Sequence, residues 1–146
     1  MSVPCPSVDA CNRALRDAFP GTGPLPEVVR VAPGLAELSW TVGPDHLRPN
    51  HAGEAPLVNG PAQMMIADTA AYVAVWTLHG VTPMALTSSL SVDFLRAARG
   101  RTLRAVADVA KAGRTLVVVN TQMFTEAREE PVSQAVVVYA LPVGKG

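Results

Sequence analysis

The chain has 146 residues, 49% of them apolar and 16% charged, with twelve basic side chains balanced by twelve acidic ones. That length suits one domain (residues 1–146) with a real core, and the balanced charge argues against a nucleic-acid partner. Cys5 and Cys11 cannot complete a zinc site, the first six residues lack a signal peptide's basic start and apolar run, and no stretch is apolar enough to cross a membrane. A cytoplasmic location with inert thiols is the expectation.

Residues 7–19 carry Val8, Cys11, Leu15 and Phe19 at helical spacing, with Ser7 or Asp9 near the cap and Pro20-Gly21 as the stop. A Pro/Gly-rich loop follows. Two short strands, 28–32 and 35–42, flank the Pro33-Gly34 turn. Residues 43–60 read as a long loop, and loops of that length in compact domains tend to be functional.

Residues 61–79 read as the main helix. Pro61 suits the first helical position, Asn59 or Gly60 supplies the N-cap, and Gly80 closes the C-terminus. The helix is apolar on nearly every side and should be buried. Asp68 sits two turns inside it. A buried, unpaired carboxylate costs several kcal/mol, so Asp68 needs a hydrogen-bonding partner, a shifted pKa or a chemical task.

Beyond Pro83 the period becomes two. Residues 86–95, 101–110, 114–125 and 132–141 read as four strands joined by short connections. Strands that follow one another without helices pair antiparallel, and one face of such a sheet needs covering. The expected class is α+β, a curved antiparallel sheet wrapped around one central helix, with an additional N-terminal helix.

Several segments resemble one family. Asn59-Gly60-Pro61 followed by Asp68 keeps the spacing of a His-Gly-Gly segment and its downstream Asp. Ala67-Asp68-Thr69-Ala70 is similar to Leu-Ala-Asp-(Ser/Thr)-Ala. Residues 86–96 resemble a Thr-x-x-Leu-x-(Ile/Val)-x-Phe-Leu-Arg strand, and residues 111–116 resemble a Lys-x-Gly-Arg-x-Leu turn. Together, over residues 47–142, they resemble the hotdog-fold, PaaI-like acyl-CoA thioesterases. Asn59 stands where that family usually has His, and asparagine cannot carry a charge at neutral pH. The resemblance implies an acyl-CoA substrate, no separate cofactor because coenzyme A is part of that substrate, and self-association as a homodimer or homotetramer.

The chemistry follows from the residues. Thioester hydrolysis needs a group to polarise the carbonyl and one to attack it or activate water. The backbone N–H of Gly60 at a helix start suits the first task. Asp68 is the candidate for the second, as general base or as nucleophile. Asn59 is expected to orient substrate, and Thr87 resembles a family position that orients the attacking water. Gly60 and Asp68 are eight residues apart, about 12 Å along one helix, whereas the reacting groups must come within roughly 3–6 Å. If both are catalytic, Gly60 of one subunit must face Asp68 of another across antiparallel helices, with two sites per dimer.

Coenzyme A phosphates need cations. Arg96, Arg99, Arg101, Arg104 and Arg114 are candidates, with Arg96 and Arg114 favoured because they fall inside the family-like segments. Asn50, Ser88 and Ser89 are further substrate-binding candidates, and Met64 and Met65 read as core filler or acyl-pocket lining. His46 and His51 lack a third ligand, so no metal site is expected. Ser88 and Ser89 lack the partners of a serine hydrolase. Two other readings stand beside hydrolysis: a non-catalytic acyl-CoA binder or sensor, motivated by the missing His, and a dehydratase of hydroxyacyl thioesters, disfavoured by the lack of a His near Asp68 in sequence.

Overall fold

The computed structural model describes residues 3–21 and 23–142. Residues 1–2, read above for a targeting signal, Thr22 of the Pro/Gly-rich loop and residues 143–146 lie outside the described residues. Helix α1 (Val8–Ala18) starts at Ser7, whose side chain accepts a hydrogen bond from the Ala10 N–H. Strands β1 (Glu27–Ala32) and β2 (Leu35–Thr41) form the expected hairpin. The expected long loop holds structure of its own: a turn of 3-10 helix at Pro44–His46 and a small antiparallel ladder of β3 (Leu47–Arg48) and β4 (Leu57–Val58). Helix α2 (Gly60–His79) follows, ending at Gly80, whose φ of 76° suits a residue without a side chain. Then come β5 (Leu86–Phe94), β6 (Thr102–Ala112), β7 (Leu116–Thr125) and β8 (Ser133–Ala140).

Six strands form one antiparallel sheet in the order β1-β2-β6-β7-β8-β5. One sequence expectation needs correcting here. Strands β5 and β6 are consecutive in the chain but do not pair; β5 lies at the far edge against β8. The link between them, residues 95–101, runs back along the end of the sheet. It is held there by Leu95 N–H to Val132 O (2.8 Å), Val58 N–H to Ala98 O (2.8 Å) and Gly100 N–H to Pro56 O (2.8 Å). A crossing whose backbone groups are hydrogen-bonded removes the need for the two strands to be neighbours.

The sheet curves around α2. Register shifts in β1, β5 and β6 each insert an extra residue, and such bulges bend a strand. Inward-facing residues alternate strictly in β7 (Val117, Val119, Thr121, Met123, Thr125) and β8 (Ser133, Ala135, Val137, Tyr139). Ala62, Ala67, Ala70, Ala71 and Ala74 of α2 are fully buried, and their small side chains let the sheet approach closely. Residues 70–77 are enclosed on every side, whereas Met64, Met65, Asp68 and Thr69 nearer the helix start reach the surface. Among the described residues, no helix is long and apolar enough to cross a membrane.

Candidate active site

Asp68 lies in the third turn of α2, and the expectation that it is buried is corrected: it is only half-buried. The single sheet wraps α2 incompletely near its start, so the carboxylate emerges beside Met65 rather than inside the core.

Two hydroxyls meet it. Thr87 Oγ1 donates to Asp68 Oδ1 at 2.7 Å, and the Tyr139 phenol donates to the same oxygen at 2.8 Å, with a second contact to the Asp68 backbone oxygen at 3.0 Å. The sheet explains the convergence. Thr87 of β5 is the direct cross-strand partner of Tyr139 of β8, and the bulge that follows Thr87 resets the register so that Ser89 pairs with Val138. Cross-strand partners share a face. Both donors therefore reach one carboxylate oxygen, and among the described residues none is directed at Oδ2.

Tyr139 is itself buried. Its ring stacks on Tyr72 with centroids 5.4 Å apart and planes 13° from parallel, and the Tyr72 phenol donates to Pro83 O at 2.7 Å. Burial pushes the Tyr139 phenol well above the ordinary range, and the neighbouring Asp68 charge pushes it further. The Tyr72 phenol is raised by burial. Tyr139 is thus a neutral, fixed donor. It was missed in the sequence, where it sits in a Val-Val-Val-Tyr run; a phenol on an inward-facing, otherwise apolar row needs a polar partner, and that signal was available.

Two cavities meet at Asp68. One of about 280 Å³ is lined by Thr87, Tyr139, Tyr72 and Leu86 among others. The other, of about 150 Å³, lies between α1 and α2, with Met65 and Thr69 in its wall.

At the start of α2, Asn59 is the N-cap. Its Oδ1 accepts from the Ala62 N–H at 2.9 Å, its Nδ2 donates to Asp45 O at 3.4 Å, and its own N–H donates to His46 O at 2.9 Å. The side chain is committed to shaping the helix entry. Gly60 is the first helical residue and Pro61 the second, one position later than expected. The first N–H groups of a helix have no partner within it, and none is directed from Gly60 to any acceptor among the described residues. The Phe94 ring packs over Gly60, so that a Cβ there would meet Cζ at 3.3 Å. Phe94, at the end of β5, was not singled out in the sequence.

The other candidates are dispersed within one chain. Asn50 holds its own loop, donating to Ala55 O at 3.0 Å and accepting from the His51 N–H at 2.8 Å. Ser88 and Ser89 are exposed on β5, away from both cavities at Asp68, and Met64 is exposed one turn before Asp68. Arg96 donates to Pro131 O at 2.7 Å, Arg99 pairs with Glu54 at 3.1 Å, and Arg104 lies 4.3 Å over the Phe124 ring. Arg101 and Arg114 are exposed. The arginine run therefore does not gather around Asp68 in a single protomer. His46 packs edge-on against Trp40 at 5.0 Å, and His51 is exposed in the loop. Cys11 is fully buried, and its thiol is pushed up to about 11 by burial and then by Cys5, which suits packing rather than nucleophilic attack.

The family model described as "Thioesterase superfamily" matches residues 55–132, more than half of the chain. Among solved structures, a protein from Silicibacter sp. TM1040 assigned as a thioesterase is 30% identical. The alignment covers 98% of this chain and 95% of that one, with a TM-score of 0.82. The E. coli PaaI protein from the phenylacetic acid degradation operon is 23% identical over 90% of this chain and 88% of its own, with a TM-score of 0.63. A Streptococcus mutans protein solved with acetyl-CoA is 17% identical over 84% and 92%, with a TM-score of 0.66. No curated protein matches the chain.

Proposed function

The chain belongs to the thioesterase superfamily and has its hotdog fold, and from that premise we propose that it hydrolyses an acyl-CoA thioester with Asp68 as the reacting carboxylate. The observation that carries this reading is the geometry of Asp68. Thr87 and Tyr139 both donate to Oδ1, no donor among the described residues is directed at Oδ2, and Asp68 lines two cavities. A carboxylate held through one oxygen, with no donor on the other, suits a general base. In the proposed step Oδ2 takes a proton from water as its oxygen bonds to the carbonyl carbon. The C–S bond then breaks, and the thiolate leaves and is protonated. Direct attack by Oδ2, the nucleophile alternative, expels the thiolate and forms an acyl-Asp68 anhydride that water opens at the Asp68 carbonyl. Single turnover in ¹⁸O-water then labels the Asp68 carboxylate, whereas the general-base route labels the product acid.

The developing oxyanion needs a donor. The Gly60 N–H is proposed for that role, held in place by the Asn59 cap. Because α2 separates Gly60 and Asp68 by about 12 Å, the complete site needs two chains with antiparallel α2 helices. The unpartnered outer edge of β5 and the exposed apolar side chains Met64 and Met65 of α2 and Leu86 and Phe94 at the two ends of β5 support a homodimer, with a tetramer as a further assembly. The acyl-CoA class is supported by the relative solved with acetyl-CoA. Arg96 and Arg114 remain the proposed phosphate contacts, with Asn50, Ser88 and Ser89 as proposed neighbours of the coenzyme, all judged in the dimer.

The test is subunit complementation. Asp68→Asn is expected to lower turnover of an acyl-CoA panel by about 10²–10⁴-fold. Gly60→Pro deletes one N–H but also adds a Cβ against the Phe94 ring, so Gly60→Ala, which adds the Cβ and keeps the N–H, is its control. Gly60→Pro is expected to lower turnover about 10²–10³-fold below Gly60→Ala. Mixing the two inactive variants creates one site with both native groups, so activity should return to a substantial fraction of wild type. Failure to recover, with heterodimers demonstrated, removes the shared-site reading; unchanged turnover in Asp68→Asn removes the catalytic one.

A further inference from the structure

The smaller cavity at Asp68 has walls from three parts of the chain: Leu15 of α1 and Phe19 at its C-cap, Leu25 and Pro26 of the segment before β1, and Met65, Asp68 and Thr69 of α2. Leu15 and Pro26 are buried, Leu25 is half-buried, and α1 is anchored independently of the cavity. The Asn12 side chain clamps both backbone groups of Val28 in β1, accepting from its N–H at 2.8 Å and donating to its O at 3.0 Å. This fixes α1 against the sheet edge, and with it the distance between Phe19 and Asp68. Phe19 also borders the larger cavity on the Thr87 and Tyr139 side, so it stands at the boundary between the two.

Resting on the hydrolase reading above, we propose that this cavity takes the acyl group, and that Leu15, Phe19 and Leu25 restrict it to short chains. Three observations converge. Among the described residues, the only charged group in its wall is the Asp68 carboxylate and the other polar side chain is the Thr69 hydroxyl, so an apolar chain whose reactive carbon stops at Asp68 matches its chemistry. Its volume of about 150 Å³ equals that of an engineered apolar cavity that accepts a benzene ring, which leaves room for about six carbon atoms. The part of its wall that α2 does not supply comes from Leu15, Phe19, Leu25 and Pro26, outside the stretch matched by the family model, so on this proposal chain length is set by a part of the molecule separate from the chemistry. Phe19, which is 41% exposed, lines both this cavity and the larger one.

The experiment measures kcat/KM for acetyl-, butanoyl-, hexanoyl-, decanoyl- and dodecanoyl-CoA with wild type, Leu25→Trp and Phe19→Ala. Wild type should favour four to six carbons and fall about tenfold or more by ten carbons. Leu25→Trp, which fills the cavity, should lower the hexanoyl-to-acetyl ratio about tenfold or more. Phe19→Ala, which opens its rim, should raise the decanoyl-to-hexanoyl ratio by a similar factor. Ratios that stay constant in both variants, while hydrolysis remains dependent on Asp68, overturn the acyl-pocket assignment and leave the hydrolase reading standing. Calorimetric binding of the thioethers S-hexyl-CoA and S-methyl-CoA makes the same test without turnover. A roughly tenfold loss in Leu25→Trp confined to the hexyl compound supports the pocket even if no thioester is hydrolysed, and equal losses for both compounds, or none, reject it. A dimer structure with a partner side chain filling the cavity rejects it as well.

Discussion

In the second half of α2, residues 70–77 are each 6% exposed or less; in the first half, Met64 and Met65 stand 39% and 37% exposed and Asp68 and Thr69 are half-buried. One helix thus serves two purposes. Its enclosed half is made of alanines, valines, Tyr72 and Trp76 that fix the sheet at close range, where stability comes from excluding water. Its open half carries the single carboxylate of the helix, held by hydroxyls that the sheet supplies. On the proposed function Asp68 meets substrate, and such a group needs a rigid support next to it, which the enclosed half supplies.

The largest expected effect tests the enclosed half. Trp76→Ala should cost about 3–5 kcal/mol in denaturant unfolding, while Asp68→Asn should leave the unfolding midpoint within about 1 kcal/mol of wild type. Comparable losses in both would mean that Asp68 is part of the framework. Next, Tyr139→Phe should lower kcat about tenfold with little change in KM, because it removes one of two donors that orient the carboxylate. Thr87→Val should act in the same way and Thr87→Ser should retain activity; a rise in KM alone would assign these hydroxyls to substrate binding.

The alkaline limb of stability is a smaller effect. The folded-state values of Cys11, Tyr72 and Tyr139 lie above their ordinary values of 9.0, 10.0 and 10.0. At high pH the unfolded chain therefore holds fewer protons than the folded one. The contribution of these groups is complete below pH 9 and is lost as pH rises through 9–11 and beyond. Urea midpoints measured from pH 8 to 11 should fall, and Cys11→Ala should flatten the first part of that fall. The smallest effect is Met64→Ser, expected within about 0.5 kcal/mol if the open face stays solvated. A larger, concentration-dependent loss would show a second chain covering it.

Much of the fold was legible because it depends on local rules. The period of two in residues 86–141, the Asn59 cap, the Gly80 stop and the crowd of alanines in α2 each state a local preference that the tertiary structure keeps. The ladder at residues 47–48 and 57–58 was not legible, because two-residue strands carry no periodic signal. Nor was the separation of β5 from β6, since the distant contacts of residues 95–101 decide it. The site was legible only in part. Asp68 was conspicuous as the one charge in an apolar helix, Gly60 as a side-chain-free N–H at the helix start, and Thr87 followed from resemblance. Tyr139 and Phe94 were hidden in strands whose alternation explains them equally well as packing residues.

What the sequence determined by itself is the set of long elements, their order and the unusual carboxylate, because hydrophobic period, caps and turn residues act within a few positions of the chain. What only the tertiary structure decided is the environment of that carboxylate. Hydroxyls 19 and 71 residues away converge on one oxygen because a bulge sets the register of the edge strand β5 against β8, and a side chain's position across a sheet is fixed by pairing between distant segments, which no local pattern encodes.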